Sequence, residues 1–209
     1  MSPSFPVGAY AYSHGLENAI EQGLVTEAGD ALSWISDLLT IGSGQTDLVL
    51  LARTWECAND PSALDELVAL GCAFWPGAEI RNESLAQGDA FLRTIRETWS
   101  LPAIDRIDYA ELPYPIAVGL VAEAHGVEQW RVLTAFAHAF SANLVSAVVR
   151  LVPLGQTDGQ RISAALQNAA SVACTRALET PLDALASSTL MSDICGMRHE
   201  SQYTRLFRS

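Results

Sequence analysis

The chain contains no lysine: all twelve of its basic residues are arginine. That absence excludes the function classes that need a lysine amine, among them the Walker A phosphate loop, Schiff-base chemistry and pyridoxal phosphate attachment. Positive charge is scarce altogether. Twelve basic residues stand against 24 acidic ones, a net charge of -12, whereas a nucleic-acid-binding protein needs a basic footprint. Cysteine is sparse as well: Cys57, Cys72, Cys174 and Cys195 lie far apart and form no CxxC pair. This is neither a zinc nor a redox framework, and it is thinner than a secreted disulfide scaffold, so it predicts reduced, buried thiols in a cytoplasmic protein. The opening residues, with two prolines, do not read as a signal peptide. Strand signals, which require period-two alternation of β-branched and aromatic residues, do not extend beyond a few residues anywhere.

What the chain does have is apolar content at helical spacing. Of its 209 residues 49% are hydrophobic and 17% charged, enough for one domain with a substantial core. Leu32, Ile35, Leu38 and Leu39 form one stripe, and Leu64, Leu67 and Val68 another, preceded by Ser62 and Asp65 at capping-box spacing. The longest stripe is Trp130, Leu133, Ala137, Phe140, Leu144 and Val148. It sits in a charge-free run, residues 132–149, which approaches the length of a membrane span. The run includes His138, Ser141, Asn143 and Ser146, so it predicts a buried central helix, with His138 as a core histidine. The nine prolines fall mostly between such segments. The pattern predicts an all-α fold, a compact single-domain bundle of about eight to ten helices around a central hydrophobic helix. Residues 2–12 are apolar and rich in glycine and proline, an opening that predicts an upstream helix before it.

Constellations that would carry chemistry are thin. The four histidines, His14, His125, His138 and His199, are widely separated, and no HExxH occurs. Cys195 and His199 are four apart and share a helical face, but two ligands do not make a zinc or nickel site unless a second copy supplies more. Glu79 and Glu83 also share a face and are the candidates for an acid–base pair in a carboxylate hydrolase; the plainer reading is solvent-facing charge or a tie to neighbouring backbone ends. Residues 150–160 read as helix-turn-helix mechanics. Arg150 suits a helix C-terminus, Pro153 and Gly155 turn the chain, and Thr157 or Asp158 caps the next helix. Gln156 and Gln160 are left over as contacts for the junction or for a partner. The last residues, His199-Glu-Ser-Gln-Tyr-Thr-Arg-Leu-Phe-Arg-Ser209, combine arginine, aromatics and leucine as interface anchors do. They predict a mobile docking tail, residues 199–209, after a helical domain of residues 1–198.

Four blocks carry a resemblance: Phe5-Pro-Val-Gly-Ala-Tyr-Ala-Tyr-Ser-His-Gly-Leu-Glu17; residues 79–88, with Glu79, Arg81, Glu83, Gln87 and Gly88; residues 150–160; and the terminal segment. In order and spacing they resemble the UreF family of urease accessory proteins over nearly the whole chain. The terminal HExQxxRLFRS pattern is the most specific element, and the family's leading helix has no counterpart before the first block. The resemblance implies an all-helical, dimeric, non-enzymatic protein with no stably bound cofactor. It implies docking on a UreD-type (UreH) scaffold, recruitment of the GTPase UreG to apo-urease, possible gating of GTP hydrolysis by UreG, and transit of nickel through the assembled complex. On this expectation His199, Glu200, Gln202, Tyr203, Arg205, Leu206, Phe207, Arg208 and Ser209 face the UreD-type partner. Tyr10, Tyr12, Ser13, His14 and Glu17 form the UreG-facing surface or its floor. The alternatives are a nickel carrier using Cys195 and His199 and the hydrolase at Glu79 and Glu83.

Overall fold

The computed structural model describes residues 5–99, 101–105 and 107–208. Among these the chain is helical throughout, with no strand. It forms α1 (Leu16–Glu21), α2 (Ala28–Ile41), α3 (Ser43–Cys57), α4 (Pro61–Ala73), α5 (Ala78–Thr98), α6 (Pro102–Asp105), α7 (Tyr114–Ala124), α8 (Gln129–Leu151), α9 (Gln156–Glu179) and α10 (Leu190–His199), with 3-10 turns at Ala9–Ala11 and Leu182–Ala184. The all-α bundle expected from the periodicity is what forms.

Local chemistry sets the helix ends. Asp30 accepts hydrogen bonds from the Thr26 and Glu27 backbone N–H groups and from the Thr26 hydroxyl, which starts α2 and holds the Asp30 carboxyl below its ordinary range. For α4 the cap is Asp60, whose carboxylate accepts from the N–H groups of Ser62 and Ala63 ahead of Pro61 at the first helical position. The expected Ser62–Asp65 box does not form. The helix starts two residues earlier than that box requires, and Asp65 instead accepts the Tyr109 hydroxyl at 2.6 Å. At the α8–α9 turn Asp158 reaches back to the Gly155 N–H at 3.3 Å, so it is Asp158 that caps the junction.

The core is one continuous apolar cluster. Helix α8 contributes Leu133, Ala137, Leu144 and Val148, all fully buried, and packs along α9. Helix α3 is enclosed on every side from Ser43 to Ala52 and packs against α7, itself buried from Pro115 to Ala122. Helix α8 is long and apolar enough to cross a membrane, but half of it is buried against the protein. His138 is not a core residue: it is exposed. With Ala137 pointing inward, the next residue lies 100° further round the helix and leaves the buried side. Arg53 closes the bundle by donating to the terminal carbonyls of α9, Leu178 at 2.9 Å and Ala177 at 3.4 Å.

One close approach fixes how α5 meets the start of α7. A Cβ built on Gly88 would run into the Leu112 carbonyl oxygen, which is backbone and cannot step aside. Gly88→Ala is therefore expected to lower stability by about 1–3 kcal/mol or more, read as a shift of the denaturant midpoint at unchanged m-value.

Candidate functional site

The end of the chain does not hang free. Helix α10 packs on α1 and reaches α5, and residues 200–208 fold back over the first sequence block. At the centre is His199, with no solvent exposure. Its Nδ1 lies 2.7 Å from Glu79 Oε2 and its Nε2 3.0 Å from Glu17 Oε2. A neutral imidazole donates from one nitrogen only, so hydrogen bonds to both carboxylates require the imidazolium or a proton on one acid. Arg205 adds a bond to Glu79 Oε1 at 2.7 Å. Glu79 thus meets both His199 and Arg205, and Glu17 faces His199 from the other side; Glu17 and His199 are buried, Glu79 is half-buried and Arg205 reaches the surface.

Glu17 does the most. Besides His199 it accepts the backbone N–H of Leu206 at 2.7 Å and of Phe207 at 3.0 Å. Those bonds turn the chain so that Phe207 enters the core cluster while Tyr203 and Leu206 stay exposed. Arg150, at the last turn of α8, covers Phe207 with its guanidinium carbon 4.4 Å from the ring centroid and donates to the Tyr10 carbonyl at 3.0 Å. The Arg208 N–H donates to the Ala11 carbonyl, and Asn18 donates to Gln202. Glu200 accepts the Ala78 N–H, covering the start of α5, where Gly77 has no side chain to cap it. Gly15 makes room for this docking. Its φ is +74°, and a Cβ there would meet the Gly196 nitrogen at 2.7 Å.

Next along α5, Glu83 takes the other buried histidine. His14, at a φ of +52°, places Nε2 3.1 Å from Glu83 Oε1, which also accepts from Gln87 at 2.9 Å. The Ser43 hydroxyl lies 3.4 Å from His14 Nδ1. Burial works against charge on His14, but Glu83, with Asp47 beyond it, outweighs burial and raises the histidine above its ordinary value. Asp47 lies on the other side of the same cluster. Burial foremost and the Glu83 charge after it push its carboxyl up to about 8, with His14 pulling the other way. Beside these groups is a cavity of about 70 Å³, room for a few waters.

The mobile tail expected from composition is therefore a packed segment, because a buried histidine, two backbone N–H groups and a phenylalanine all find partners in the first block. Among the expected partner-facing residues, Tyr10, Glu200, Tyr203, Arg205, Leu206 and Arg208 reach the surface. His199 and Phe207 are buried, Gln202 is half-buried, and Ser209 lies outside the described residues. Of the five residues expected to face UreG only Tyr10 is exposed; Tyr12, Ser13, His14 and Glu17 lie beneath. Arg81 is elsewhere, tied to the Cys72 carbonyl and Glu111. Pro153, Gly155, Gln156 and Gln160 are exposed at the α8–α9 turn. Cys195 shares a face of α10 with His199, but burial raises its thiol away from the metal-binding thiolate, and both His199 nitrogens are engaged. No cluster of three or more His, Cys, Asp or Glu suited to a metal occurs among the described residues. The carboxylates of the hydrolase reading neither face solvent nor face each other across a cleft: Glu79 holds His199 and Arg205, and Glu83 holds His14 and Gln87. Asp47 escaped the sequence reading; its signal was a polar Ser-Gly-Gln-Thr-Asp start to a helix that then turns fully apolar.

Taken together these contacts define an all-helical protein whose terminal segment is latched by buried charge onto its own N-terminal block. The family model named UreF matches residues 25–167. Over its full length the chain is 43% identical to urease accessory protein UreF of Bradyrhizobium sp. strain BTAi1, covering 89% of that protein. It is 47% identical to that of Rhodopseudomonas palustris strain BisB5, covering 88%, and 44% identical to that of Cereibacter sphaeroides, covering 95%. The chain belongs to the UreF family.

Glu17→Gln keeps the shape of the latch and removes the charge facing His199. Breaking a buried pair of this kind costs about 3–5 kcal/mol. Amide exchange at Leu206 and Phe207 and tryptic cleavage after Arg205 are expected to quicken by about tenfold or more, while α3 and α7 exchange as before. Asp47 generates a pH dependence. Its folded value near 8 exceeds the ordinary 3.8, so the folded state binds the extra proton, and stability falls as pH rises from about 4 to 8. The raised His14 acts in the same direction, its contribution being complete below pH 6.5 and lost as pH rises past its folded value. Asp47→Asn is expected to flatten the decline between pH 5 and 8 in denaturation curves and to leave the part that His14 contributes.

Proposed function

We propose that this chain is a urease accessory protein. In this reading it is a non-enzymatic binding module that docks on a UreD-type scaffold, brings the GTPase UreG to apo-urease for nickel insertion and gates GTP hydrolysis there. It works in the cytoplasm as a dimer, and nickel passes through the assembled complex without a stable site on this chain. One observation carries the docking part. The latch holds the terminal segment in a single conformation with Tyr203 and Leu206 turned outward beside Arg205 and Arg208. Pre-ordering spares a partner the roughly 1–2 kcal/mol per residue of backbone entropy that a free tail would lose. Exposed aromatic and arginine side chains on a rigid support are what binding hot spots consist of.

The structure also separates two kinds of substitution. Glu17 sits under the latch, so its loss disturbs every surface the latch supports and does not report on UreG alone. Tyr203 and Leu206 hold nothing in place. The Tyr203→Ser/Leu206→Ser double variant is expected to melt like the parent and to lose affinity for the UreD-type protein by about thirtyfold or more, measured by calorimetry with both purified proteins. Unchanged affinity in that variant would place the docking surface elsewhere.

A further inference from the structure

The cavity beside His14 and Glu83 is bordered by buried polar atoms that have no partner among the described residues. It lies where the first block, α3, α5 and α8 meet, measures about 70 Å³ and is partly open to solvent. Asp47 reaches it from α3, Trp75 from just beyond α4 and Glu83 from α5, while Phe136 and Phe140 of α8 form an apolar wall. Asp47 is only 8% exposed, and its Oδ1 has no hydrogen-bond partner. The Trp75 indole N–H is buried and unpaired as well. Buried polar atoms are ordinarily paired, with protein or with a bound molecule. An unpaired donor and an unpaired carboxyl oxygen at one cavity therefore point to a ligand.

We infer that this cavity is a binding site for a small neutral molecule that both donates and accepts hydrogen bonds, a primary amide of about four or five non-hydrogen atoms. The indole N–H can only donate, so it calls for an acceptor such as a carbonyl oxygen. Whether Asp47 Oδ1 presents an O–H or a C=O, an amide has the group that answers it. Charge decides against ions. Burial keeps Asp47 as the neutral acid below about pH 8. His14, raised above its ordinary value, stands 3.1 Å from Glu83 and offsets that carboxylate. An anion drawn to His14 is repelled by Glu83, and a cation meets the reverse. A neutral molecule also loses less than an ion on leaving water, and the phenylalanine wall takes its apolar end. The site is independent of how the terminal segment docks and of the accessory role.

Titration of the isotope-labelled full chain with acetamide, followed by NMR at pH 6.5, where His14 is more than half protonated, tests it. The Trp75 indole N–H is the reporter, and Trp75→Phe assigns that signal by its loss. Acetone and acetate match acetamide in non-hydrogen atoms, the first without a donor and the second with a charge. The expected result is a saturable shift with a dissociation constant of about 1–10 mM for acetamide, within the ceiling for so small a ligand, and binding about tenfold or more weaker for acetone and acetate. Ala139→Leu fills the cavity from a half-buried position on α8; it is expected to stay folded by circular dichroism and to lose the acetamide response. Read on the Asp47 backbone amide, Trp75→Phe is expected to weaken acetamide by about tenfold. Absence of a saturable acetamide shift overturns the site and leaves the cavity to water. Equal binding of all three probes overturns the recognition, and undiminished acetamide binding in both variants overturns the location.

Discussion

A single carboxylate, that of Glu17, joins the two ends of the described chain. It faces one nitrogen of His199 and accepts two backbone N–H groups from the terminal segment. Nothing apolar could replace it, because the buried N–H groups of Leu206 and Phe207 need an acceptor and each nitrogen of a buried imidazole needs a hydrogen-bond partner. Helix α5 supplies the second acid, Glu79, and one turn on gives Glu83 to His14. Two histidines about 185 residues apart in sequence are thereby held by one helix face. Burial of such an ionic centre is costly on its own and adds little net stability. What it fixes is which of many apolar packings the terminal segment adopts.

The fold was largely legible in the sequence because its helices are amphipathic. The stripe Leu32, Ile35, Leu38, Leu39 and the stripe Trp130, Leu133, Ala137, Phe140, Leu144, Val148 face the core as their spacing requires, except Trp130, which is exposed at the start of α8. The misses have local causes. His138 is next to an inward residue, and proximity to an apolar face was mistaken for membership of it. The cap of α4 is Asp60 because Pro61 suits the first helical turn, a rule that outranks the Ser62–Asp65 spacing.

The candidate site was legible only as a set of residues. Glu17, Glu79, Glu83, His14 and His199 all stood in blocks marked by the family resemblance, but their pairing spans sequence separations of 120 and 182 residues. No periodicity reaches across such distances. Glu79 and Glu83 share a helix face, which suggested one acid–base pair; the fold gives each its own histidine instead. The tail suggested mobility because terminal residues are ordinarily poorly ordered, and its arginines and aromatics read as anchors for a partner. Phe207 and His199 are the exceptions within it, and two buried side chains with satisfied partners are enough to hold ten residues.

The return of residues 200–208 over residues 10–17 bears on how the protein is made. Phe207 is bonded to a residue 190 positions earlier, so the latch has about the longest loop to close of any contact in the molecule. During synthesis the helical body can collapse while Glu17 and Glu79 still lack their partners in the terminal segment and His14 has only part of its cover. A chain interrupted a few residues short would keep its core and expose two unpaired acids beside an open apolar slot. The latch is therefore among the last contacts that the growing chain can close.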